Sequence, residues 1–284
     1  MVGTGSPTVR RRELGVLLRK LRTDREWTVD YVAQQLLCSP SKISRMETGQ
    51  RGASARDIRD LSHLYGVDEE QRQHLMELAS EGKQRSWWQH LGLPYSRYVG
   101  LEADASAVSD YCPGAIPGLL QTADYARAVV KAAVPRWVPE IVEQRVNGRL
   151  ARQQILTRPG NPPTFQAVVD ESALRRIVGS PDVMAAQLAS LLEVSALPNV
   201  DLRVIPYSAG ALPAGNMFII LTFVSQDIPD VVFIEGLTGD LYLEDVQDVE
   251  AYNIAFRALN DLALGSEQTR AIIAAIGSGI SAQR

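Results

Sequence analysis

The segment LCSPSKISRMETGQRGAS, residues 37–54, gathers side chains suited to hydrogen bonding on an anionic surface. Lys42, Arg45 and Arg51 are cationic donors, Ser39, Ser41, Ser44 and Gln50 are short neutral ones, and only Ile43 and Met46 are spaced for burial. Such a stretch can hold to its own domain by two apolar contacts and present its other faces to a polyanion. Small residues at its start let the backbone approach a partner closely, and the first-turn amides with the helix dipole favour a phosphate. Elsewhere the chemistry is sparse. The histidines are His63, His74 and His90 and the cysteines Cys38 and Cys112, so residues 113–284 hold no imidazole and no thiol. That removes His-assisted nucleophilic catalysis, the common zinc sites and thiol chemistry from this portion. The acidic pairs Asp170 and Glu171, Glu235 and Asp240, and Glu244 and Asp245 read as caps and solvated faces. No enzymatic activity, metal or cofactor is expected. Arg149 and Arg152 in RLARQQIL share one helical face; they are candidates for holding an anionic effector or partner, or for satisfying buried carboxylates such as Asp170.

Five short helices are expected to position the first segment. Leu14, Leu17, Leu18 and Leu21 recur at helical spacing from Arg11, and the helix ends near Arg25 with Trp27 closing a small core. Thr28 caps a second helix that turns Val32, Ala33 and Leu36 inward. Ser39 and Pro40 open a third, burying Ile43 and Met46 and stopping at Gly49 in a left-handed position. Ser54 caps a fourth, with Ile58, Leu61, Leu64 and Tyr65, closed by Gly66. A fifth runs from about Asp68 to Ser80. Two short helices joined by about three residues have helix-turn-helix spacing, the second helix entering the major groove of DNA.

Residues 1–66 hold 12 Lys and Arg against 7 Asp and Glu, whereas residues 67–284 hold 17 against 26. A basic head on an acidic body leaves the head to meet a polyanion. A connector, residues 82–97, is expected to dock through Trp87 and Trp88. Beyond it, helices read over TADYARAVVKAA, EIVEQRVNGRLARQQIL, SPDVMAAQLASLLEVSAL, DVQDVEAYNIAFRALNDLAL and SEQTRAIIAAIG. Strands read over TFQAVVD, VDLRVIPY, MFIILTFV, VVFIEG and DLYLED, with antiparallel pairing among the last three. IGSGIS reads as a glycine-bearing tail, not a phosphate loop. The fold expectation is therefore an all-α head, residues 1–81, followed by a mixed α/β (α+β) domain over 98–284. No run of eighteen apolar residues suggests a membrane span, and a cytoplasmic location is expected.

The stretch TVDYVAQQLLCSPSKISRMETGQRGASARDIRDLSHLYGV resembles the helix-turn-helix of the Cro/C1 (XRE) family. Leu37 stands where that family usually has glycine, so the turn must be strained or remodelled. The resemblance puts Pro40, Ser41, Ser44 and Arg45 against base edges, Arg45 foremost because a guanidinium can bond guanine O6 and N7 together. Thr28, Ser39, Lys42, Gln50 and Arg51 then read as phosphate contacts, and Glu47 as an internal structural residue. It also implies double-stranded DNA as partner and a homodimer reading two half-sites. CPGAIPGLLQTADYARAVV, VVDESALRRIVGSPDVMAAQLASLLEVSALPNVDLRVIPYSAGALP and FIEGLTGDLYLEDVQDV resemble the large domain behind such heads in actinobacterial WhiJ-like, antitoxin-like regulators. This implies a small partner protein from a neighbouring gene, or a small-molecule effector.

Overall fold

The structure is a computed structural model that describes residues 6–84, 86, 88, 96–133, 138–225 and 228–282. Trp87 and much of the expected connector lie outside the described residues. The chain divides into two compact units.

In the N-terminal unit, α1 (Pro7–Thr23) begins a turn earlier than the leucine stripe indicates. Its start is a serine–proline signature: the Ser6 hydroxyl accepts the Val9 N–H at 3.3 Å and Pro7 occupies the first helical position. Thr28 caps α2 (Val29–Gln35) by accepting the Tyr31 N–H. Then come α3 (Pro40–Glu47), α4 (Ala55–Tyr65) and α5 (Glu69–Glu81). Ser54 and Asp57 form a reciprocal capping box on α4, which Gly66 ends at φ 61°. Leu14, Leu18, Val32, Ile43, Met46, Ile58, Leu61, Tyr65, Leu75 and Leu78 fill one core, with Leu17, Leu21 and Trp27 packed at its margin. Each large aliphatic side chain buried there contributes about 1.5–3 kcal/mol of transfer free energy.

This unit also takes in α6 (Ser96–Asp104) and Ser225–Ile228. The Ser6 hydroxyl donates to the Gly100 carbonyl at 2.8 Å, and the Ser6 N–H meets the Asp104 carboxylate. A Cβ at Gly100 would lie 2.2 Å from Thr8 Oγ1, so helix α6 and the start of α1 touch because residue 100 has no side chain. The first residues of what the sequence marks as the larger domain thus pack with the head. Trp88 is buried.

The second unit is built on a six-stranded sheet: β1 (Ala107–Cys112), β2 (Thr164–Asp170), β3 (Val200–Ile205), β4 (Phe218–Thr222), β5 (Val231–Ile234) and β6 (Leu241–Leu243), in the order β3-β2-β1-β4-β5-β6. The first three strands are parallel, and β4 to β6 run antiparallel, as the turn-punctuated strand run in the sequence requires. Between them come α7 (Ala123–Ala133), α8 (Pro139–Gln153), the short α9 (Glu171–Arg175) and α10 (Pro181–Val194), and after them α11 (Val246–Leu262) and α12 (Ser266–Ala282). One core joins Tyr111, Val168, Phe218, Ile220 and Val232 of the sheet to Val249, Phe256 and Leu259 of α11. The architecture is α+β. Two features differ from the sequence reading. Strand β1, central in the sheet, carries Ser109 and a buried Asp110, which break the apolar pattern that reveals a strand. IGSGIS is not a tail: α12 continues through Gly277 and Gly279.

Candidate nucleic-acid interface

Helix α3 is fixed to its unit from three sides. Ile43 and Met46 enter the core. Its C-terminal end lies against the backbone of α1, because a Cβ at Gly15 would stand 2.4 Å from the Glu47 carbonyl oxygen and 2.7 Å from that of Met46. Gly49, at φ 66°, repeats the device with a virtual Cβ 2.9 Å from Arg12 Cα. Glu47 is the third anchor. Its carboxylate is 8% exposed as a residue and accepts Arg22 Nε at 2.7 Å and Nη2 at 2.9 Å, while Arg22 Nη1 donates to the Trp27 carbonyl at 2.7 Å. The hydrogen bonds that Arg22 donates to Glu47 raise its guanidinium pKa against the opposing effect of burial. Glu47 is therefore internal, as its charge requires beside phosphates.

The other faces of α3 and its flanks point to solvent. Thr28, Ser39, Pro40, Ser41, Ser44, Arg45, Gln50 and Arg51 are all exposed. Arg45 lies along its own helix, with Nε 3.1 Å from the Ser41 carbonyl and Nη2 3.3 Å from the Ser41 hydroxyl, which orients the guanidinium and leaves it accessible. Ser39 has extended N-cap dihedrals but makes no side-chain cap; its hydroxyl faces that of Ser41 at 3.2 Å. Pro40 has no N–H and the Lys42 N–H is taken by the Ser39 carbonyl at 2.9 Å, so it is the two hydroxyls that lie at the positive end of the helix dipole, where a phosphate oxygen is favoured.

Lys42 differs from its neighbours. It is half-buried, and its Nζ lies 2.5 Å from Asp57 Oδ1, tying α3 to the capping box of α4. Burial pushes the Asp57 carboxyl up, but hydrogen bonds from Lys42 and from the Ser54 N–H and hydroxyl outweigh it and hold the group below its ordinary value. A depressed folded pKa contributes stability that is present above the unfolded value of about 4 and is lost as pH falls through the folded value. Thermal midpoints followed from pH about 5 downward should therefore show a decline of the N-terminal unit that Asp57→Asn removes.

The turn before α3 contains the family departure. Leu37 adopts φ 50° with its side chain 94% exposed, so the left-handed turn is kept and no burial compensates the strained backbone. A left-handed L-residue costs about 1–2 kcal/mol, partly offset by the greater chain entropy glycine loses on folding. Leu37→Gly should raise stability by about 0.5–1 kcal/mol in chemical denaturation without changing DNA affinity.

In the second unit, Arg149 Nη1 donates to Gln121 Oε1 at 3.2 Å, and Arg152 is buried beside Gly118. Asp170 instead caps α9 through the Ser172 N–H. The apolar loop IPGLLQT, whose signal in the sequence is only its Gly/Pro punctuation, is held by three glutamines. Gln121 Nε2 donates to the Ile116 carbonyl at 2.7 Å, Gln153 Nε2 to that of Gln121 at 2.6 Å, and Gln187 Nε2 to that of Leu120 at 2.7 Å, while Gln187 Oε1 accepts the Thr122 N–H. The loop is packed and satisfied internally. Burial pushes the Cys112 thiol up to about 12, with Asp110 adding to the effect, which keeps it protonated. Among the described residues, no cluster of three or more His, Cys, Asp or Glu is placed to hold a metal, and no helix is long and apolar enough to cross a membrane.

No curated protein and no solved structure matches the chain. Residues 13–75 match a helix-turn-helix domain, spanning α2, the Leu37 turn and α3 with the helices that hold them. Residues 95–275 match the domain of unknown function DUF5753, which takes in the whole sheet and covers more than half of the chain. Behind a DNA-binding helix-turn-helix head, the chain belongs to the DUF5753 family.

Proposed function

We propose that this protein is a sequence-specific transcriptional regulator of the WhiJ-like kind, binding operator DNA as a homodimer in the cytoplasm, with a C-terminal domain that receives a small partner protein or an effector. One observation carries the reading: α3 buries Ile43, Met46 and Glu47 and turns Ser41, Ser44 and Arg45 outward, with Thr28, Ser39, Gln50 and Arg51 exposed around them. Helix-turn-helix heads of this spacing read half-sites about one helical turn apart, which is the support for a dimer. No catalytic step belongs to the proposal. Of the first acidic pair in the C-terminal domain, Asp170 is a helix cap, and Glu171 accepts the Tyr207 N–H and pairs with Arg175.

Titration of the full chain onto the promoter DNA beside its own coding region, at several salt concentrations, tests the DNA half. Arg45→Ala should cost about 1–3 kcal/mol on the best site and relax base preference at one position. Unchanged affinity and preference would remove Arg45 from the reading set. A second reading, an antitoxin-like module that sequesters a small neighbouring protein and uses DNA binding for autoregulation, is favoured by the acidic balance of residues 67–284. Co-elution with that neighbour and loss of DNA binding in the complex distinguish it.

A further inference from the structure

The anchors of α3 are unevenly distributed. Ile43, Met46 and Glu47 are buried, and the close approaches at Gly15 and Gly49 hold its C-terminal end. Its first turn has nothing comparable. Ser39, Pro40 and Ser41 are exposed, Ser39 makes no side-chain cap, and the Ser39 and Ser41 hydroxyls face each other. Among the described residues, the side-chain hydrogen bond that ties this turn to another helix is that of Lys42 Nζ to Asp57 Oδ1, at 2.5 Å.

That bond ends on a fixed carboxylate. Asp57 Oδ2 accepts the Ser54 N–H at 2.9 Å and the Ser54 hydroxyl at 2.8 Å, and the same hydroxyl accepts the Asp57 N–H at 3.0 Å. Ala53 and Ile58, on either side of this box, are buried in the core, so the start of α4 is itself held by packing. With Oδ2 engaged the carboxylate cannot turn away, and Oδ1 is left facing α3. Helical geometry places Lys42 one turn before Met46, on the flank between the buried face and the face that carries Ser41 and Arg45. The Arg45 guanidinium leans on this same turn, Nε on the Ser41 carbonyl at 3.1 Å and Nη2 on the Ser41 hydroxyl at 3.3 Å. A line of bonds therefore runs from the cap of α4 through Lys42 and the first turn of α3 to Ser41 and Arg45.

We infer that Lys42 is a positioning residue for base reading rather than a phosphate contact, and that Asp57 is the anchor through which it acts. The ion pair sets the pose of the first turn of α3, and with it the direction in which Ser41 and Arg45 project. Base contacts require placement to within about 0.5 Å, whereas a lysine on its flexible stem meets a phosphate over a wider range. Were Lys42 to leave for a phosphate, the Asp57 side chain, 13% exposed, would lose its cation as a polyanion approached, which disfavours the exchange. The inference rests on the proposed DNA binding and deepens it.

The test compares the unaltered full chain with Lys42→Met, Asp57→Asn and the double variant. Each is titrated onto the best site in the promoter DNA beside its own coding region and onto a scrambled duplex, at several salt concentrations. Lys42→Met should lower the ratio of operator to scrambled affinity about tenfold and leave the salt slope unchanged. It should also relax preference at the same base pair as Arg45→Ala. Asp57→Asn keeps an oxygen for the Ser54 donors but turns an amide N–H toward Lys42, and should lower the same ratio although the head becomes more positive. The double variant should lose no more than Lys42→Met alone, because the two residues act as one unit. A salt slope flattened by about one unit in Lys42→Met would show a phosphate contact and overturn the inference. So would a raised ratio in Asp57→Asn, losses that add in the double variant, or ratios unchanged in both single variants. Urea unfolding reports separately on folding, and were Lys42→Met not to fold, the ratio in Asp57→Asn decides the matter. An unaltered chain that does not distinguish operator from scrambled duplex would remove the proposed DNA reading and this inference together, whereas normal discrimination that both variants retain would remove this inference alone.

Discussion

Gly15→Val should release the C-terminal end of α3 from α1 and abolish operator binding while the second unit stays folded. Glycine inside a helix normally costs about 1 kcal/mol relative to alanine, so on propensity alone any substitution at position 15 other than proline would be stabilising. The packing reverses the sign. The nearest atoms to a Cβ at this position are backbone atoms, the Glu47 and Met46 carbonyl oxygens and Glu47 carbonyl carbon, all within 2.8 Å. Backbone cannot rotate away as a side chain does, so overpacking falls at or above the upper end of the usual 1–3 kcal/mol. Gly15→Ala should then be net destabilising by about 1–2 kcal/mol, and valine, β-branched as well, by about 3 kcal/mol or more. Thermal unfolding read by hydrogen exchange in each unit measures this. A Gly15→Ala protein at least as stable as the original would show that α1 and α3 are not in contact there.

Glu47→Ala should be nearly as damaging, for an electrostatic reason. Two hydrogen bonds from Arg22 terminate on this carboxylate, and the pair has side-chain exposures of 12% and 5%. Removing the acid leaves a guanidinium largely out of water with only the Trp27 carbonyl as its acceptor among the described residues. Breaking a buried pair from one side costs about 3–5 kcal/mol, and the partly solvated rim of Arg22 places this one near the lower figure. Glu47→Gln should cost less, because an amide oxygen still accepts one bond. The double variant Arg22→Met with Glu47→Leu should recover most of the loss, since exchanging both charges for apolar volume is often close to neutral. Urea unfolding of the single and double variants gives the coupling energy directly. Recovery of stability without recovery of DNA affinity would assign to the pair a positioning role on α3 beyond its contribution to folding.

The head was legible because its punctuation is local. A serine or threonine caps a helix through an amide three residues on, and a glycine closes one through its own dihedral, so Thr28, Ser54, Gly49 and Gly66 announce their roles within a few residues. The Ser6–Pro7 start carries the same signal and lies just ahead of the leucine stripe. Strands β2 to β6 were legible from β-branched and apolar runs bounded by turn residues. Strand β1 was hidden by Asp110, since a carboxylate in a core position is read as surface until its surroundings are known.

The outward set on α3 was likewise determined by the sequence alone, because helical periodicity fixes which side chains share a face once Ile43 and Met46 are turned inward. Tertiary structure decided which of those side chains is already engaged. Lys42 and Arg45 are equally basic on paper, yet Lys42 is drawn to Asp57, fifteen positions away, and the Arg45 guanidinium meets, among the described residues, only its own helix. The absence of a side chain at Gly15 and the clamp of glutamines on the IPGLLQT loop belong to the same class. A cap, a turn or a periodic face is set by neighbours a few bonds away, whereas a close approach or an ion pair exists only after distant segments have been brought together.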